Sequence, residues 1–147
     1  PSSEMTGTEP VALTTLAQVF DKYAAPDDIV FVKVDTQGYE LPVIEGAAEV
    51  FDRIAGWQLE LSLVEIYAGE PMWRTVVDHM TERGHDIHFV LPGYFSRHLN
   101  RMLQFDALFF RGAPQATSTP SRPSTGSGRG GRKRTGVQLF ALGCAAL

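Results

Sequence analysis

"FVKVDTQGYE", residues 31–40, decides the fold. Phe31, Val32 and Val34 read as a buried strand that runs straight into Asp35, Thr36 and Gln37 before Gly38 turns the chain. An apolar strand that ends in polar residues and continues into a helical pattern is a βα unit of an α/β sheet. Ligands of such sheets lie outside the carboxyl ends of the strands, so this is where a site belongs. Asp35 is the leading candidate for chemistry, since a carboxylate there can act as a base or position a ligand. The alternative is that it caps the following turn through its own backbone. Gln37 and Glu40 border the same place and are equally suited to turn and helix-start roles.

Upstream, "VALTTLAQVFDKYA" (11–24) sets Leu13, Leu16, Val19, Phe20 and Tyr23 at helical spacing, with Thr14 or Thr15 as N-cap. Downstream, Pro42 suits a first helical turn, and Val43, Ile44, Ala47, Val50, Phe51 and Ile54 form one apolar stripe. That stripe predicts a helix over 42–54. In "WQLELSLVEIY" (57–67), Trp57, Leu59, Leu61 and Leu63 alternate with Gln58, Glu60 and Ser62. A strand covered on both faces would be apolar throughout, so one face of this strand should meet a cavity or solvent. Glu60 lies on that polar face, beside the first strand.

A helix opened by Pro71 and stopped at Gly84 follows, carried by Met72, Trp73, Val76, Val77 and Met80. "HDIHFVL" (85–91) reads as a third strand, "PGYFSRHLNR" (92–101) as a loop and "MLQFDALFFR" (102–111) as a fourth strand. Crossover helices predict three parallel strands. The helix-free connection predicts that the fourth is antiparallel to its neighbour. Gln104 and Asp106 alternate on it and read as polar residues of an edge strand.

The charge is unevenly spread. Five of the 13 basic residues lie beyond residue 112, where there is no acid, so the remaining eight face all 17 acids, a formal −9. An acidic body excludes a nucleic-acid surface, which needs clustered Lys and Arg. No apolar run reaches the ~20 residues of a membrane span, and no signal-peptide pattern opens the sequence, so a cytoplasmic protein is expected. Cys144 alone rules out an internal disulfide. His79, His85, His88 and His98 lack the paired spacing of a zinc centre. Residues 1–10 read as a loose leader and 11–112 as the folded domain. Residues 113–147, rich in Pro, Ser, Thr, Gly and Arg, read as a disordered basic tail. "VQLFALGCAAL" within it is apolar but has no visible partner. Its ending imitates a prenylation signal, a reading set aside as a weak motif.

The motifs carry a resemblance as well. "FVKVDTQGYELPVIEGA" resembles the Lys-x-Asp-x-(Gln/Glu)-Gly-x-Glu stretch of the FkbM family of methyltransferases. "WQLELSLVEIYAGEP" and "LQFDALFFR" are similar to the strands that follow it there. The resemblance implies a Rossmann-like class I methyltransferase sheet, present here as its C-terminal half only. It implies S-adenosylmethionine as donor, bound mainly by the N-terminal half, and a sugar or small-molecule hydroxyl as acceptor. Asp35 and Glu60 would be catalytic, with Thr36, Gln37 and Glu40 contacting substrate or cofactor. A divalent cation held by Asp35 and Glu60 is a lesser alternative, and no metal ligands are assigned. The rival reading is a non-catalytic remnant or interaction fragment that lacks the donor-binding half.

Overall fold

The structure, a computed structural model, describes residues 10–112 and the backbone of 137–143. The chain runs α1 (Leu16–Tyr23), β1 (Ile29–Asp35), α2 (Glu40–Glu45), a 3-10 helix (Ala48–Arg53) and β2 (Ile54–Ser62). It continues through α3 (Trp73–Glu82), β3 (His85–Pro92), β4 (Phe95–Ser96), β5 (Arg101–Met102), β6 (Gln104–Arg111) and β7 (Val137–Gly143). Five strands form one mixed sheet in the order β3-β6-β2-β1-β7, and β4 and β5 form a separate hairpin. β1 is parallel to β2 and to β7, whereas β6 is antiparallel to both its neighbours, β2 and β3. β1, β2 and β3 thus run in one direction and β6 against them, as the sequence predicts. Among the described residues, however, β3 is bonded only to the antiparallel β6, and the parallel partner β7 is not among the expected strands.

Alternation does the folding. Val30, Val32 and Val34 of β1, Trp57, Leu59 and Leu61 of β2, and Phe105, Ala107 and Phe109 of β6 all point one way and are buried. They join Leu16 and Phe20 of α1, Ile44 of α2, Val50 and Phe51, and Val76 and Met80 of α3 in a single core. All the helices therefore pack on the same face of the sheet. The other face carries Phe31, Lys33 and Asp35, then Gln58 and Glu60, then Asp106, Leu108 and Phe110, each only partly buried. At its lower end Gly56 lets Phe31 and Phe110 approach over the strand, their ring centroids 5.9 Å apart. A Cβ on Gly56 would stand 2.7 Å from the Phe110 ring.

Thr15 is the N-cap of α1 and, with Gln18, completes a capping box. Four expectations are corrected. The helix expected over 42–54 is broken into α2 and the 3-10 helix, because Gly46 sits where α1 crosses. A Cβ there would meet Pro42 O at 3.2 Å and Thr15 Cβ at 3.3 Å, and Gly46 O accepts the Ala17 amide at 3.0 Å. The loop over 92–101 contains the β4–β5 hairpin. β6 is not an edge strand, being flanked by β2 and β3. Finally, the expected disordered tail does not extend through Val137–Gly143, which pairs along the whole of β1 from Ile29↔Val137 to Asp35↔Gly143. The physical reason is the β1 edge, whose N–H and C=O groups would otherwise lack partners among the described residues. The rest of that predicted tail, 113–136 and 144–147, and the predicted leader apart from Pro10, lie outside the described residues. Among the described residues no helix is long and apolar enough to cross a membrane.

Candidate active site

The open face of the sheet turns polar towards the carboxyl ends of β1 and β2. Asp35 is the last residue of β1, and Glu60 faces Asp106 across the β2–β6 ladder. Each acid has a fixed neighbour. Lys33 Nζ donates to Asp35 Oδ2 at 2.9 Å, Gln104 Nε2 to Glu60 Oε2 at 3.0 Å, and Gln58 Nε2 to Asp106 Oδ1 at 3.1 Å. Three carboxylates thus stand in a row with one ammonium and two carboxamides.

That crowding has an electrostatic consequence. Partial burial, and then the negative charges of Asp35 and Asp106, push the Glu60 carboxyl up to about 7. The protonated form is further favoured by a hydrogen bond to Asp35. Lys33 is held above the usual lysine range, first by its hydrogen bond to Asp35, while burial opposes the rise. Glu60 is therefore divided between acid and base near neutral pH, the condition under which a carboxylate exchanges protons most usefully.

The loop after β1 is built differently. Glu40 is buried, and its Oε1 accepts from the Thr36 amide at 3.2 Å, the Thr36 hydroxyl at 3.1 Å and the Gly38 amide at 3.2 Å. It organises the turn from within. Gln37 and Gly38 both take left-handed backbone angles, φ 53° and 103°. Gly38 is required twice over, because a Cβ there would lie 2.8 Å from Glu70 Cβ. Glu70, also buried, receives the Ser62 hydroxyl at 2.8 Å, the Tyr67 amide at 3.1 Å and the Ile66 amide. The turn is thereby pressed against the segment that follows β2.

Of the residues expected from sequence, the structure brings Asp35 and Glu60 together and turns Thr36 and Glu40 towards each other inside the loop. Gln37 is half-buried at the strained corner of the turn. Lys33, Gln104, Asp106 and Gln58 also belong to the row, and the sequence reading did not place them there. Their signal was the polar alternation of three strands, which becomes one surface only when the strands are set side by side. Glu70 carried no such signal. Among the described residues no three His, Cys, Asp or Glu side chains are grouped to hold a metal ion.

A family model described as the methyltransferase FkbM domain matches residues 2–87, more than half of the sequence. The matched span includes Asp35, Glu60 and the turn between them. Searches among curated proteins and among solved structures returned no match.

Proposed function

The chain belongs to the FkbM methyltransferase domain family, and we propose that its open sheet face carries out S-adenosylmethionine-dependent methyl transfer to a hydroxyl of a sugar or other small molecule. The observation that carries this reading is the Asp35–Glu60 pair near the carboxyl ends of adjacent parallel strands, with Glu60 raised to about 7. Ligands of α/β sheets occupy this position.

The residues present fit one part of the donor. A row of carboxylates suits the positive sulfonium, whose methyl group is the electrophile the donor supplies when bound. For the nucleoside, a glycine-rich turn between a strand and a helix would be needed. Among the described residues Gly38 follows a strand, but its amide is already taken by Glu40. We propose that this chain supplies the acceptor side of the site and that further protein supplies the nucleoside cradle, as in a Rossmann-like methyltransferase domain of which these residues are the C-terminal part.

The chain's own groups divide the work. Glu60, when ionised, takes the proton of the acceptor hydroxyl as its oxygen becomes the nucleophile. Asp35, anchored by Lys33, lies beside it and orients the acceptor. Gln104 holds the Glu60 carboxylate in place, and Gln58 does the same for Asp106.

The rival, a remnant without chemistry, is favoured by the lack of such a cradle among the described residues and is decided by experiment. Methyl transfer to hydroxyl acceptors is measured in the enzyme with its donor-binding elements in place, for the unmodified chain, Asp35→Asn and Glu60→Gln. Activity that both substitutions abolish without unfolding the protein supports the proposal. Activity indifferent to both refutes this site, and no transfer under any condition favours the remnant.

A further inference from the structure

Among the described residues β3 is a terminal strand of the sheet, paired with β6 on one side only. Along it Phe89, Val90 and Leu91 are 62%, 54% and 46% exposed in succession, on both faces of the strand. The apolar surface continues into Tyr94 and Phe95, also exposed. Soluble proteins rarely leave a contiguous apolar patch on a free strand edge. They usually guard such an edge with lysines, inward-pointing charges or prolines. From Ile87 to Tyr94 this chain has no Lys, Arg, Asp or Glu, and its one proline, Pro92, closes the strand and leaves Phe89–Leu91 available.

The bulge in β3 lies between Ile87 and Phe89, ahead of that run. Beyond it pairing with β6 is regular, Phe89↔Leu108, Val90↔Ala107 and Leu91↔Asp106. The outer edge of these residues is therefore extended and able to accept a strand.

Charge identifies which strand. Asp86 lies at the start of β3, and Arg97 and Arg101 lie in the β4–β5 hairpin just beyond its end. All three are exposed, and none forms an ion pair among the described residues. Laying a second β3 antiparallel beside the first brings the Asp86 end of each copy to the hairpin end of the other, so the same attraction is made twice. A parallel partner would set acid beside acid and base beside base.

We propose that β3 pairs antiparallel with the β3 of a second copy, about a two-fold axis near Phe89 and Val90, giving a dimer with one continuous sheet. Such a contact is self-complementary and closes on itself, so it stops at two copies. Main-chain hydrogen bonds supply affinity, and Phe89, Val90 and Leu91 bury one another across the axis.

The test is sedimentation velocity of the 147-residue chain across the micromolar range, with circular dichroism to verify folding. The unmodified chain should dimerise. Val90→Lys, at an exposed position, should be monomeric with an unchanged spectrum. Asp86→Arg should weaken association at least ~10-fold by setting like charges together. Adding Arg97→Glu and Arg101→Glu to that variant should restore the dimer. A chain that stays monomeric throughout overturns the proposal. So does a folded Val90→Lys variant that still associates, or a charge exchange that fails to recover the dimer.

Discussion

Trp57 and Gln58 are chain neighbours in β2, yet they live in different chemistries. Trp57 is fully buried, with its ring 5.4 Å from that of Phe51 in the helix-covered core. Gln58 points the other way and binds Asp106 on the open face. The same contrast repeats between Val34 and Asp35, and between Leu59 and Glu60. One face of the sheet is spent on cohesion and the other keeps charged groups close together. Keeping like charges together costs stability, so the covered face must supply the surplus that lets the open face remain polar.

The largest way to break this division is on the covered side. Trp57→Ala should cost ~3–5 kcal/mol through lost burial and a residual cavity, a large share of the ~5–15 kcal/mol that stabilises a domain. Gln58→Ala next to it should cost under ~1 kcal/mol. Urea denaturation of both variants checks the pair, and equal losses would erase the distinction between the faces.

On the open side the order of effects reverses. Asp35→Asn keeps size and most hydrogen bonds but removes the charge. It should lower turnover at least ~100-fold with little change in melting temperature. If Asp35 only caps the turn, activity per folded molecule will be preserved and ~1 kcal/mol of stability lost instead.

Gly38 sits between the two regimes. Gly38→Ala meets both a left-handed φ and the contact with Glu70, so it should cost ~1–3 kcal/mol and disturb the turn beside Asp35. A calorimetric melt within error of the parent would mean that the turn shifts freely.

The smallest effect is one of pH. Glu60 in the folded chain titrates at about 7 against an ordinary 4.5. As pH falls, the folded form takes up this proton before the unfolded chain does. Its contribution to stability is therefore fully present below about 4.5 and is lost as pH climbs to about 7. Comparing melting temperatures with Glu60→Gln across that window should show the parent falling relative to the variant. Turnover should move oppositely, rising through pH 7 as the base ionises. Parallel pH curves would mean that Glu60 is not perturbed.

Much of this was legible in the sequence because alternation is a local signal. "WQLELS" announces one buried and one polar face, and "FVKVDT" announces a strand with a polar end. The break at Gly46 was not legible, since it depends on the approach of α1 from thirty residues earlier. Glu40 looked like a site residue because acids near a strand end often are. Only the folded loop shows its oxygen facing three donors of its own turn. Gln104 and Asp106 look like edge residues in the sequence because nothing local reveals that β6 inserts between β2 and β3. Val137–Gly143 was the hardest case, for its partner lies far back in the chain and no local pattern names it.

The β1–β7 ladder has a consequence for how the molecule is made. Val34 pairs with Leu142, 108 positions later, so one side of β1 waits for a strand that has yet to be synthesised. At about 5–20 residues per second the delay is roughly 5–20 s. During that interval the nascent chain can bury its helices against β1 and β2 while, among the described residues, no strand pairs with the outer border of β1. Cells facing that interval have reason to shield it, and a synonymous change that slows translation before Val137 would prolong the exposure without altering a single residue.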